Sequence, residues 1–145
     1  MDQAILVIYR LADGQKLIEQ LVRDGLEIMA AFWLYTNDNE RWTLNLICKG
    51  VDKEGPRNGY GAVIRAFDQL PDLRLDPVFD VTLLGPSQPL ARGVLAHLKR
   101  HPGEHARRVE QTTLNGVYVE SAFLYPPELL RPAEIAPKDA RAGAC

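Results

Sequence analysis

The chain's three histidines, His97, His101 and His105, recur at intervals of four residues. On one helical face such imidazoles can hold a divalent transition metal, which takes three protein nitrogens and keeps a position for water. Acidified by the metal, that water would be the nucleophile of a hydrolase. Pro102-Gly103 interrupts the helix between the second and third ring. A plainer interpretation therefore stays open, in which cationic side chains gather at a helix end where the backbone dipole favours them. The same span also carries Arg92, Lys99, Arg100, Arg107 and Arg108 against a single acid, Glu104. Such a cluster suits a phosphate or a nucleic-acid backbone. It can equally pair with Asp68, Asp72, Asp76 and Asp80, which precede it.

A second candidate is Gly55-Pro56-Arg57-Asn58-Gly59-Tyr60-Gly61, between an expected strand and an expected helix. Free amides at a helix start attract anions, and Arg57 and Asn58 would contribute there. The stretch lacks the Lys-Ser/Thr ending of a P-loop and the spacing of a dinucleotide fingerprint. Glycines that merely permit close helix packing explain it as well. Among the carboxylates that strands could bring together, Asp52 and Glu54 follow the second expected strand, Asp80 lies in the third, and Glu110 and Glu120 lie in the last hairpin. No Glu-x-Lys pair of a restriction-type nuclease and no Gly-x-Ser-x-Gly elbow accompanies them. Glu120, among apolar neighbours, is expected either as a site residue beside Arg107 or Arg108 or as a charge guarding an edge strand.

The elements that must position these groups are legible from periodicity. Residues 2–10 suit helix or strand, but Ala4, Val7, Ile8, Leu11, Ile18, Leu21 and Val22 form one stripe, which favours a helix ending at Gly25. Residues 26–35 are nearly continuous in apolar character, as in a strand covered on both faces. Its hairpin partner, residues 41–49, sets Trp42, Leu44, Leu46 and Cys48 against Arg41, Thr43, Asn45 and Lys49, predicting a half-buried strand with a polar face for a partner.

A helix follows Pro56 with Tyr60, Val63, Ile64 and Phe67 inward, and then a strand over residues 78–84. Ser87 is placed to cap a third helix with Pro89 in its first turn and Leu90, Val94, Leu95 and Leu98 inward. Asn115-Gly116 marks a second hairpin, because both residues tolerate positive φ. The order is α-ββ-α-β-α-ββ. It implies an α+β fold, a mixed α/β sandwich with a sheet of about five strands and three helices. Residues 1–125 are expected as one domain and residues 126–145, with four prolines, as a disordered tail.

With 145 residues and 46% apolar composition the chain can bury a core without staples. A net charge of -2 gives no global field for polyanions, so nucleic acid is disfavoured as a partner. Cys48 in a strand and Cys145 at the end make a poor disulfide pair, so free thiols in a reducing cytoplasm are expected. No apolar run is long enough to cross a bilayer.

Phe32-Trp33-Leu34-Tyr35, the Val51-Asp52 and Gly55-Pro56 loop, and Leu114-Asn115-Gly116-Val117-Tyr118-Val119-Glu120 together resemble a group of small uncharacterised bacterial proteins. The resemblance spans about residues 12–125. It implies a single bacterial domain and carries no catalytic residues. The leading expectation is a non-enzymatic cytoplasmic binding or accessory domain, without cofactor, acting through a protein partner or as a homodimer. The alternative is a phosphate- or nucleic-acid-handling protein, with a metal-dependent hydrolase as its catalytic form, using Arg57 with the Arg92 to Arg108 cluster, Arg100 and Arg107 included, and the histidines.

Overall fold

The computed structural model describes residues 8–36, 40–55, 57–77, 80–101 and 108–130. Helix α1, Ile8–Arg23, takes in residues 8–10 of the ambiguous start, whose earlier residues lie outside the described ones. Gly25, at φ 96°, ends it. Its amide donates to the Val22 carbonyl and the Leu26 amide to the Leu21 carbonyl, the double closure that needs a left-handed residue at this point.

Strands β1, Ile28–Thr36, and β2, Arg41–Cys48, follow as an antiparallel pair. A helical turn α2, Val51–Glu54, leads into α3, Arg57–Gln69. Strand β3, Val81–Leu84, pairs parallel to β2. Helix α4, Pro89–Arg100, precedes the hairpin of β4, Arg108–Leu114, and β5, Val117–Leu124. A 3-10 turn, Pro127–Leu130, packs back on α1 and β1. The fold is α+β, with a five-stranded mixed sheet ordered β3-β2-β1-β5-β4.

β1 is the central strand and is covered on both faces. Ala31, Trp33 and Tyr35 face α1 and α3, while Ala30 and Phe32 face α4. A bulge between Ile28 and Ala30 lets Ile28 join the first of these layers as well. β2 departs from the half-buried expectation. Ile47 packs under the α4 layer, and Asn45 is only 4% exposed. The Asn45 amide satisfies itself locally, donating to the carbonyl and hydroxyl of Thr43. Around Asn45 that face is therefore interior and offers no partner surface, while Arg41 and Lys49 at its ends are exposed.

Other departures share a cause in close packing. On α3 the buried residues are Gly59, Ala62, Val63 and Ala66, and Ile64 is 49% exposed. Small side chains let this helix sit low on the sheet, where a Cβ on Gly59 would come within 2.5 Å of Leu83. Tyr60 then reaches the open side of β3 and accepts the Leu83 amide. Ser87 does not cap α4, whose N-cap is Gln88. Its amide and hydroxyl instead donate to the Asp52 carboxylate, tying the β3 exit to α2. β5 lies between β1 and β4 but pairs with β1 only from Ser121 to Leu124, so Glu120 sits just past the paired part of an inner strand. Asn115 and Gly116 hold φ 50° and 82° in the second hairpin turn, as that dipeptide leads one to expect.

At the centre, Trp33 Nε1 donates to the Tyr125 hydroxyl at 2.8 Å, which donates to the Leu11 carbonyl at 2.7 Å. Gly14 is the contact point of α1. A Cβ there would lie 2.5 Å from the Tyr125 hydroxyl and 3.1 Å from Trp33 Nε1. Helix propensity alone makes Gly14→Ala stabilising by about 1 kcal/mol. Overpacking against the pinned hydroxyl reverses the sign, with a net loss of about 1–2 kcal/mol expected in urea melts. The loss shrinks in a Tyr125→Phe background, where the nearest atom is gone; an unchanged penalty there would refute the contact as its source.

Candidate functional site

The side chains singled out in the sequence lie on both faces of the sheet. Arg92, His97, Lys99, Arg100 and His101 belong to α4 and its C-terminal end, with the His97 and His101 rings 4.8 Å apart. His105 and Arg107 lie outside the described residues. Among the described residues no group of three or more His, Cys, Asp and Glu is placed to hold a metal ion. Arg57 and Asn58 begin α3 in the opposite layer. There Asn58 donates to Glu54 at 3.3 Å, and the adjoining hollow is lined by Asp24 and Glu54 as well as Arg65. Two carboxylates make that loop a poor cradle for an anion.

Glu120 lies elsewhere again. β5 pairs with β1 only from Ser121 to Leu124, so residues 117–120 overhang the end of β1. Gln111, opposite Glu120, has φ 48° and drops out of the ladder. The buried positions change parity there, from Val109 to Leu114 in β4 and from Ala122 to Val119 in β5. The twist keeps the distal hairpin turned toward α4. Gly93 allows the approach, since a Cβ would meet the Leu114 backbone at 2.8 Å, and Asn115 donates to the Pro89 carbonyl at 3.0 Å.

A groove of about 200 Å³ results, walled by Leu34, Tyr35, Leu90, Val117 and Val119 with Glu120 in its lining. Tyr118, 60% exposed, stands in the same lining. Burial, then the carboxylates of Glu40 and Glu120, push the Tyr35 hydroxyl above its usual range. The groove is thus apolar in its walls and negative at one end.

A polar network near the start of α1 escaped the sequence reading. Asp80, 5% exposed, accepts Arg41 Nη2 at 2.7 Å and the Asp76 amide at 2.7 Å, with Arg10 Nη1 at 3.7 Å. Asp13, equally buried, accepts the Arg74 amide at 3.1 Å, and the Arg74 guanidinium lies 3.4 Å from the same oxygen. Arg10 also stacks 6.0 Å from the Trp33 ring. Oxygen lone pairs occupied by N–H donors make both carboxylates clamps between α1, β2 and the segment before β3. One signal was available: Asp13 lies one turn before Leu17 and two before Leu21, inside the buried face.

Cys48 is buried, and burial alone pushes its thiol from 9.0 up to about 12, which leaves no thiolate nucleophile at neutral pH.

Two outcomes follow from these environments. Asp80→Asn, which removes the buried carboxylate that accepts from Arg41 and the Asp76 amide, is expected to lower stability by about 1–2 kcal/mol, since Arg41 itself is partly exposed; an unmoved urea midpoint would show the clamp to be ornamental. For Cys48 the folded state holds its proton where the unfolded chain has lost it. Its contribution is therefore complete below pH 9 and declines as pH rises toward about 12, by about 1.4 kcal/mol per pH unit. Tyr35 and Tyr125, shifted the same way, add to the decline above pH 10. Unfolding followed from pH 8 to 10.5 should show that fall, shallower near pH 9.5 in Cys48→Ala, and equal slopes in the two proteins would exclude the assignment. Compared with protein-family models, with curated proteins and with solved structures, the chain gives no match, so its function is argued from this geometry.

Proposed function

We propose that the chain is a non-enzymatic cytoplasmic binding domain that acts through a protein partner, docked in the groove between β1, α4 and the overhanging β5. One observation carries this reading: Tyr118 is 60% exposed beside a hollow with apolar walls. Aromatic side chains next to desolvated pockets are the usual anchors of protein interfaces. Glu120 in the lining and Glu40 near Tyr35 favour a partner segment with an apolar side chain for the hollow and a Lys or Arg beside it. Among the described residues no helix is long and apolar enough to cross a membrane, which is compatible with this setting.

Photo-cross-linking in the native cell tests the proposal. With p-benzoylphenylalanine at position 118, a discrete adduct to another protein should form. The same group at position 64, exposed on α3, should not form it. Charge reversal by Glu120→Arg should reduce the adduct at least about tenfold, the loss expected when an attractive charge pair becomes repulsive. An adduct of twice the chain mass, which would mean a second copy, or one indifferent to Glu120→Arg, overturns the reading.

A further inference from the structure

A different hollow, on the β4 side of the hairpin tip, has the opposite character. Arg92, Ala96 and Arg100 recur at intervals of four along α4, so they share one face and span two turns, about 12 Å. Arg92 and Arg100 line this hollow of about 260 Å³ together with Thr113 and Asn115. Its floor is formed where Gly93 lets α4 touch the Leu114 backbone. No carboxylate is in its lining among the described residues. The two hollows described above each contain at least one, Glu120 in the first and Asp24 with Glu54 in the second. The nearest acid along β4, Glu110, is already 3.3 Å from Arg108.

We infer that this groove binds the phosphate group of a small phosphorylated molecule, gripped by Arg92 and Arg100 and oriented by Thr113 and Asn115. Guanidinium forks match phosphate oxygens with paired hydrogen bonds. Thr113 supplies a hydroxyl donor from the facing wall. Asn115, held by its bond to the Pro89 carbonyl, keeps a second amide hydrogen for the ligand. The groove's volume suits a phosphate with a small organic part, and the chain's net charge of -2 supplies no field to gather a polynucleotide. This site stands apart from the Tyr118 groove and does not depend on a protein docking there.

Titration of the ¹⁵N-labelled full chain with inorganic phosphate and with phenyl phosphate, followed by heteronuclear NMR, tests it. Saturable shifts should gather at Gly93, Ala96, Thr113, Leu114 and Asn115, with phenyl phosphate at least as tight as phosphate and chloride without effect. Arg92→Gln and Arg100→Gln should each weaken binding at least about tenfold, as expected for the loss of hydrogen bonds to a charged group. Arg100→Lys should recover part of that loss, and Arg57→Gln, in the other layer, should change nothing. Both arginines are exposed, so thermal melts should coincide with the unsubstituted protein and confirm that folding is intact. Absence of saturable shifts, shifts unaltered by the arginine substitutions, or tighter binding of a dT12 oligonucleotide than of phenyl phosphate would each overturn the inference.

Discussion

Everything in this fold depends on how closely α1 can approach the middle of the sheet. Trp33 is fully buried on the central strand, and an indole N–H in such a place is costly without an acceptor. The acceptor is Tyr125, just past the end of β5, and the hydroxyl passes the hydrogen bond on to a carbonyl of α1. One relay thus joins the central strand, the C-terminal strand exit and the first helix. It works only because Gly14 leaves room for it. A glycine that looks like a defect in the helix pattern is the residue that lets the layers close.

With α1 and α3 on one face and α4 on the other, the strands in the middle have no solvent face to offer. The polar-looking side of β2 is consequently interior at Asn45, which is tolerated because Thr43 answers its amide within the same strand, while Arg41 and Lys49 at its ends stay exposed. The Asp80 and Asp13 clamps belong to the same logic. Charges drawn toward the core are held by arginines and backbone amides from distant segments, which fixes α1 against the chain leading into β3.

Local signals were legible where the chemistry is local. Gly25 as a helix stop, Asn115-Gly116 as a hairpin turn, Pro89 at a helix start and β1 as a doubly covered strand all follow from neighbouring residues. What escaped prediction depends on partners far away in sequence. Asp13 finds Arg74 61 residues on, and Arg41 finds Asp80 39 residues on, spacings that no periodicity encodes. Ile64 and Asn45 were placed by hydropathy, but the small residues of α3 and the α4 layer decide their surroundings. Arg100 and Glu120 were visible as candidate residues. Their separation into unlike grooves was not, because it follows from the parity change at Gln111 and the overhang of β5.

That overhang separates scaffold from surface. A hairpin ending level with β1 would simply finish the sheet, leaving α4 open along its length. By extending past the last β1 rung and twisting toward α4, the tip crosses the helix near Gly93 and divides its surroundings into two clefts. The β5 side takes its lining from the end of β1, hence apolar walls with Glu120 in the lining. The β4 side takes its lining from the outer stripe of α4, hence two guanidiniums and, among the described residues, no carboxylate. On the two proposals, opposite electrostatics on either side of one hairpin would discriminate between ligands: a cationic segment would be attracted to the first cleft and repelled by the second, and an anion the reverse. The asymmetry arises from backbone geometry, so a substitution in either lining would change the charge of one cleft while leaving the other cleft and the core beneath it in place.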